Sequence, residues 1–269
     1  MSPSWRDRLL ITLAPERVAV LRLKRGLRAR IAGDAVRDCA AADGRGAPPW
    51  AAALEALEQL LAEKGAGTGV ASVIVSNQFV RYVRVPWTEG VSAEADRLAL
   101  AAGCFRAVHG DAVDAWRVVL DAPRFGADNL AAALDAALID ELRALLARHK
   151  RRLGSLRPHL TAAFDRWRDR LAPEVGAFAL VEPGCVTTLF RRDGRWAEVA
   201  NRRHAGADEP LRIIGQCVEA ESLLGGAGEV AVLAPGAALG GTGGSLRWLT
   251  GLEGPWPQDP WRSMAWNAA

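Results

Sequence analysis

SVIVSNQFVRYVRVPW, residues 72–87, reads as an apolar strand, a polar break at Ser76-Asn77-Gln78, a second strand, and a stop at Pro86-Trp87. It has the look of a functional rim, yet it holds no nucleophile, metal-ligand set or phosphate loop. How it is placed depends on what lies on either side.

Upstream, Leu9–Leu13 and Arg17–Leu23 flank the turn Ala14-Pro15-Glu16 and predict a hairpin, with Leu27–Ala32 as a third strand. Pro48-Pro49 suits a helix start, and Trp50, Leu54, Leu57, Leu60 and Leu61 then share one face. Downstream, Ser92 is placed to cap a helix carrying Leu98, Ala101, Phe105 and Val108. Trp116–Leu120 predicts a strand. A long helix is expected over 128–148, striped by Leu130, Leu134, Leu138, Leu142 and Leu145. The cations His149-Lys150-Arg151-Arg152 close it as a solvated turn at the negative end of the helix dipole. A shorter helix follows at 159–171.

From Gly176 strands resume. Ala177–Glu182 is one, and Val186–Arg191 with Trp196–Ala200 forms a hairpin around Asp193-Gly194. A helix near 209–224 and a strand at Glu229–Ala234 complete the pattern. Strands, helix and strand thus occur twice, which predicts two α/β lobes meeting near 172–176. The expected division is a first lobe over 1–172, a shortened second lobe over 173–244, and a Trp- and Pro-rich tail over 245–269.

Composition sets limits. The chain has 269 residues, half of them apolar, and a formal charge of +3. That charge is too small to argue for nucleic acid. Lysine is confined to Lys24, Lys64 and Lys150, so the positive charge is nearly all arginine, spread along the chain. Cys39, Cys104, Cys185 and Cys217 lie far apart without a C-x-x-C pair, which fits reduced, mostly buried thiols in a cytosol. No uncharged run is apolar enough to cross a bilayer. A cytoplasmic protein, without direct membrane insertion, is the expectation.

These segments resemble the actin-like ATPase superfamily, in particular the pilus-assembly protein PilM and the cytoplasmic domain of the secretion protein GspL. Val73–Pro86 looks like the family's fourth strand before its second helix. Asn129–Trp167 is similar to the helix, basic turn and short helix that lead into the second lobe. Gly176–Trp196, GAFALVEPGCVTTLFRRDGRW, resembles the second phosphate loop, and Val230–Gly236 the strand and turn at the adenosine pocket. The resemblance implies a two-lobed actin-like (ribonuclease H-like) α/β fold, with mixed sheets flanked by helices.

The departures from that pattern bear on activity. An active member carries an Asp-Gly pair in the first hairpin, where this chain has Leu13-Ala14-Pro15-Glu16. Pro15 and Pro183 each remove a backbone donor, and phosphate binding depends on such donors. At Ala234-Pro235-Gly236 one glycine remains. The resemblance therefore implies a degenerate, non-catalytic member, a pseudo-ATPase without cofactor. It would be an adaptor in a type IV pilus or type II secretion-like assembly platform, recruited to the inner membrane by the short cytoplasmic segment of a membrane protein. Homo-oligomers are compatible with it. The alternative is an active ATPase using ATP with magnesium.

Candidate residues follow from both readings. Glu182 for the metal, with Gly184, Thr187 and Thr188 for phosphate, form the nucleotide or anion site if one exists; otherwise the threonines simply suit a strand. Phe79, Arg81, Tyr82 and Arg84 combine aromatic anchors with guanidinium forks and are the partner-binding candidates, although alternate residues there must face a core. Cys185 is read as a buried thiol, because no base is near it in sequence. His109, His149 and His159 have no ligand spacing. The tail holds Trp248, Trp256, Trp261 and Trp266, four of the ten tryptophans, and is expected to fold back onto the protein.

Overall fold

A computed structural model describes residues 8–24, 30–40, 46–63, 68–122, 125–171, 175–192, 195–206, 209–223, 228–236, 246–249 and 259–267. The hairpin of β1 (Arg8–Leu13) and β2 (Arg17–Lys24) starts the first sheet, with Leu13 opposite Val18. Strand β3 (Arg30–Asp38) extends it antiparallel beyond β2; of the strand expected over Leu27–Ala32, residues 27–29 lie outside the described residues. On the other side β4 (Gly69–Val75) runs parallel to β1, and β8 (Arg151–Pro158) parallel to β4, giving the order β3-β2-β1-β4-β8.

The central strand is covered on both faces, which explains its unbroken apolar run. Leu9, Ile11 and Leu13 pack against helices α1 (Ala51–Glu63) and α3 (Ala136–Arg148). Helix α1 contributes Leu54, Leu57, Leu60 and Leu61, each worth roughly 1.5–3 kcal/mol when removed from water. Leu10, pointing the opposite way, meets Trp266 of α6 (Pro260–Trp266).

The second sheet repeats this scheme. Strands β9 (Val175–Glu182), β10 (Cys185–Arg192) and β11 (Arg195–Arg203) form an antiparallel meander. Strands β12 (Glu229–Leu233) and β13 (Leu246–Trp248) then add parallel to β9, in the order β11-β10-β9-β12-β13. A Cβ at Gly176 would meet the Gly228 amide at 2.8 Å, so only glycine lets β9 and the start of β12 approach so closely. Helix α5 (Glu209–Leu223) covers one face through Ile213 and Ile214. Helix α4 (His159–Trp167) covers the other through Leu160, Ala163 and Trp167, and turns Ala162 towards Ile74 of the first sheet. It is therefore shared by both lobes.

A small third sheet, β5-β7-β6, joins β5 (Arg81–Val85), β7 (Asn129–Asp135) and β6 (Trp116–Leu120), all antiparallel, under helix α2 (Glu94–His109). The first third of the expected long helix over 128–148 is thus strand. Leu130 and Leu134 pair with Arg84 and Arg117 across the sheet, and helix begins only at Ala136. Their four-residue spacing continues the helical stripe by coincidence, and two waiting strands override it.

The basic cluster is also placed differently. The chain turns at Lys150, whose φ is 56°, and Arg151 begins the edge strand β8 with its side chain buried rather than solvated. Helix α2 starts at Glu94 with Ala93 at its N-cap, so Ser92 does not cap it. The stretch after residue 244 is divided between the lobes: β13 edges the second sheet and α6 lies on the first. Asp193 and Gly194 fall outside the described residues.

Candidate inter-lobe site

Three turns converge where the lobes meet: Ala14–Glu16 after β1, the 3-10 turn Asn77–Phe79 after β4, and Pro183-Gly184 after β9. Gln78 ties them together. Its Nε2 donates to Glu16 Oε1 at 2.9 Å and to the Pro183 carbonyl at 3.1 Å. Gly184 turns the chain with φ at 78°, and a Cβ there would come within 3.1 Å of Glu16 Oε1. The two hairpin turns are therefore in contact through one amide side chain.

Beneath them lies Glu182, 2% exposed at the end of β9. Its Oε2 accepts from the Asn77 backbone N–H at 3.0 Å and from the Ser76 hydroxyl at 3.3 Å. Its Oε1 is 2.6 Å from His159 Nδ1, and His159 Nε2 is 3.1 Å from Asn267 Nδ2. Facing a carboxylate, Nδ1 carries a proton and donates it to Glu182, while Nε2 meets the Asn267 side-chain amide. A buried carboxylate is tolerated only with such donors.

Asn77 is the second node. Its Oδ1 accepts from the Tyr82 hydroxyl at 2.6 Å and from the Leu160 N–H at 3.2 Å, while its carbonyl accepts from Asn201 Nδ2 at 2.8 Å. Asn201 Oδ1 in turn receives the Cys185 thiol at 2.7 Å. Burial pushes that thiol up to about 12, and the nearby Glu182 charge adds to the shift. The Tyr82 phenol is raised well above its ordinary range, first by burial and then by Glu182. Proton-holding groups thus line the cluster around one carboxylate.

Two five-stranded sheets of identical order, back to back across a shared helix, constitute a distinctive architecture. No family model matches the chain, and no curated protein matches it in sequence. In three dimensions it is similar to the PilM-PilN type IV pilus biogenesis complex, with a TM-score of 0.67, 15% identity and 98% of each chain covered. It is also similar to the cytoplasmic domain of EpsL, an inner-membrane component of the type II secretion system of Vibrio cholerae. That TM-score is 0.63 at 12% identity, covering 98% of this chain and 94% of the other. A Bacteroides thetaiotaomicron protein of actin-like ATPase fold and unknown function aligns over 86% of this chain and 82% of its own, with a TM-score of 0.55 and 8% identity. The chain has the actin-like ATPase fold.

Within this actin-like frame the expected site residues separate. Thr187 and Thr188 are both fully buried, but successive residues of β10 face opposite ways. Thr187 turns to Cys185 and Asn201, and Thr188 lies on the α5 side beside Val186 and Phe190. They cannot grip one phosphate, and the Glu182 carboxylate is already engaged. Glu182, Gly184, Thr187 and Thr188 therefore do not fit the metal and phosphates of ATP as one constellation. His204 does not approach Cys185; its ring nitrogens face the carbonyls of Glu182 and Gly206. Among the described residues no group of three His, Cys, Asp or Glu side chains is placed to hold a metal.

The partner candidates divide as well. Phe79 belongs to the main core of the first lobe, and the Tyr82 hydroxyl is committed to Asn77. Arg81 pairs with Asp135 at 3.1 Å and lies 4.2 Å over the Trp116 ring, leaving Arg84, paired with Asp128, the most accessible of the four. Sequence reasoning missed Ser76, Asn77, His159 and Asn267. A polar triplet between two apolar strands was the available signal for the first two.

Proposed function

We propose that this protein is a non-catalytic adaptor of a type IV pilus or type II secretion-like assembly platform, binding the short cytoplasmic segment of an inner-membrane partner. The observation that carries the reading is the end-to-end likeness to the PilM-PilN complex and to the EpsL cytoplasmic domain. Two geometric features support the non-catalytic part: the Gln78 bridge between the hairpin turns and the engaged Glu182 carboxylate. No described helix is long and apolar enough to cross a membrane, so attachment to the inner membrane is proposed to come through the partner.

The docking position is a groove between the first and third sheets. It runs along the edge strand β8 and is lined by Arg117, Val119, Leu134, Ile139, Arg143 and Leu153. An extended segment would pair with the β8 edge, set apolar side chains against Val119 and Ile139, and place acidic ones by the arginines. Titration calorimetry tests both halves of the proposal. Peptides copied from the cytoplasmic segments of single-span membrane proteins encoded next to this one are expected to bind with micromolar affinity and to lose it in Val119→Asp, a change at an exposed side chain of the groove. Micromolar binding of a non-hydrolysable ATP analogue with magnesium, together with phosphate release from ATP, would overturn the non-catalytic reading. Absence of peptide binding would overturn the adaptor.

A further inference from the structure

The Glu182 carboxylate is held by groups that follow two strands of the first sheet. Ser76 and Asn77 follow β4, and His159 follows β8, so all three donors sit at the ends of adjacent parallel strands of the first sheet. The acceptor alone comes from the second sheet. The donors are also fixed independently of it. The Ser76 amide donates to the Leu13 carbonyl at 2.9 Å, and Asn77 is clamped by Tyr82, Leu160 and Asn201. His159, 2% exposed, is steered from behind by Asn267.

A hydroxyl, a backbone N–H and an imidazole N–H aimed at one buried point have the composition of an oxyanion site. Here the point is filled by a side chain of the same molecule. We propose that Ser76, Asn77 and His159 form an oxyanion cradle in the first lobe, and that Glu182 is the built-in anion that occupies it and holds the lobes closed without any ligand. The inference is independent of which partner the protein binds. It assigns a ligand class, small oxyanions of carboxylate or phosphate type, to a place where the unaltered chain has supplied its own.

Removing the anion while keeping the cradle tests this. Glu182→Ala deletes the equivalent of one acetate, and Glu182→Gln keeps the space filled. Melting is followed in sodium formate, inorganic phosphate and sodium chloride at matched ionic strength, about 50 mM in added anion. E182A is expected to melt at least about 5 °C below the unaltered protein and to regain more than half of that loss in formate or phosphate, but not in chloride. The unaltered protein and E182Q are expected to show no such preference. Equal melting of E182A in all three salts would overturn the proposal, as would equal stabilisation of the unaltered protein by formate or phosphate. If E182A does not fold in chloride, its refolding yield becomes the measure: recovery in formate or phosphate supports the cradle, and equal failure in all three overturns it.

Discussion

The Tyr82 hydroxyl donates to Asn77 Oδ1 at 2.6 Å, linking the first strand of the small sheet to the turn that ends β4. The same oxygen receives an amide from the first turn of α4, that of Leu160. Asn77→Ala therefore strands two enclosed donors at once. At about 1–3 kcal/mol for each unsatisfied group, a loss of about 2–6 kcal/mol is expected in urea unfolding. Tyr82→Phe removes one donor along with its need and is expected to cost about 1 kcal/mol. In the double variant the second change should cost less than it does alone, a coupling a thermodynamic cycle measures.

Thr187 and Thr188 make a second comparison, because they are neighbours of equal burial and opposite surroundings. Among the described residues the Thr188 hydroxyl has no hydrogen-bond partner, while that of Thr187 sits between Cys185 and Asn201. Thr188→Val is expected to be neutral or stabilising by up to about 1 kcal/mol, since an enclosed hydroxyl without a partner is replaced by a methyl. Thr187→Val is expected to cost about 1 kcal/mol. Chemical denaturation of the two variants decides between them. An equal cost at both positions would contradict the assignment of faces.

Alkaline pH bears directly on the inter-lobe cluster. The Cys185 thiol is pushed from 9.0 to about 12, and Cys39 from 9.0 to about 11, in both cases chiefly by burial. A raised thiol pKa means that the folded state holds its proton more tightly than the unfolded chain does. The associated stability is fully present below about pH 9 and falls as pH rises from there towards the folded value. For Cys185 the expected slope is about 1.4 kcal/mol per pH unit. Urea midpoints measured between about pH 8 and pH 10.5 should show this decline, and Cys185→Ala should flatten it by close to one proton. At neutral pH Cys185 should also be alkylated far more slowly than Cys104 and Cys217, which are less buried.

Helix α6 tests the join between the end of the described chain and the first sheet. Trp261 packs on Ala14 and Ala19, its carbonyl accepts from the Thr12 hydroxyl at 2.7 Å, and Asp259 caps the helix through the amides of Trp261 and Arg262. Trp261→Ala is expected to cost about 3–5 kcal/mol. Truncation before Asp259 would bare Leu10, Leu21 and Leu23 and is expected to give a chain that aggregates on mild heating. Light scattering against temperature is the check.

Local chemistry explains what could be read in advance. The first hairpin, the break at Ser76–Gln78 and the meander of β9 to β11 follow from apolar alternation and turn residues, which act over a few positions. Strand β7 could not be read that way: Asn129–Asp135 is alanine- and leucine-rich, and only its two neighbours in the small sheet make it extended. Strand β8 was hidden for a similar reason, its arginines resembling a helix end until β4 pairs with it. Glu182 stood out as an acid near a turn. The donors that hold it come from residues 76, 77 and 159, and no spacing rule relates those positions to 182.

The position of α6 also constrains the order in which the molecule can be completed during synthesis. All five strands of the first sheet have been synthesised by Pro158, yet the helix that shields Leu10 and Leu21 is made only after the whole second sheet. Throughout that interval the nascent chain offers an open greasy surface to whatever is nearby. Completing the first lobe therefore takes a long-range docking event, and a chaperone waiting at the exit tunnel would find its binding site on the side of the sheet turned away from α1 and α3.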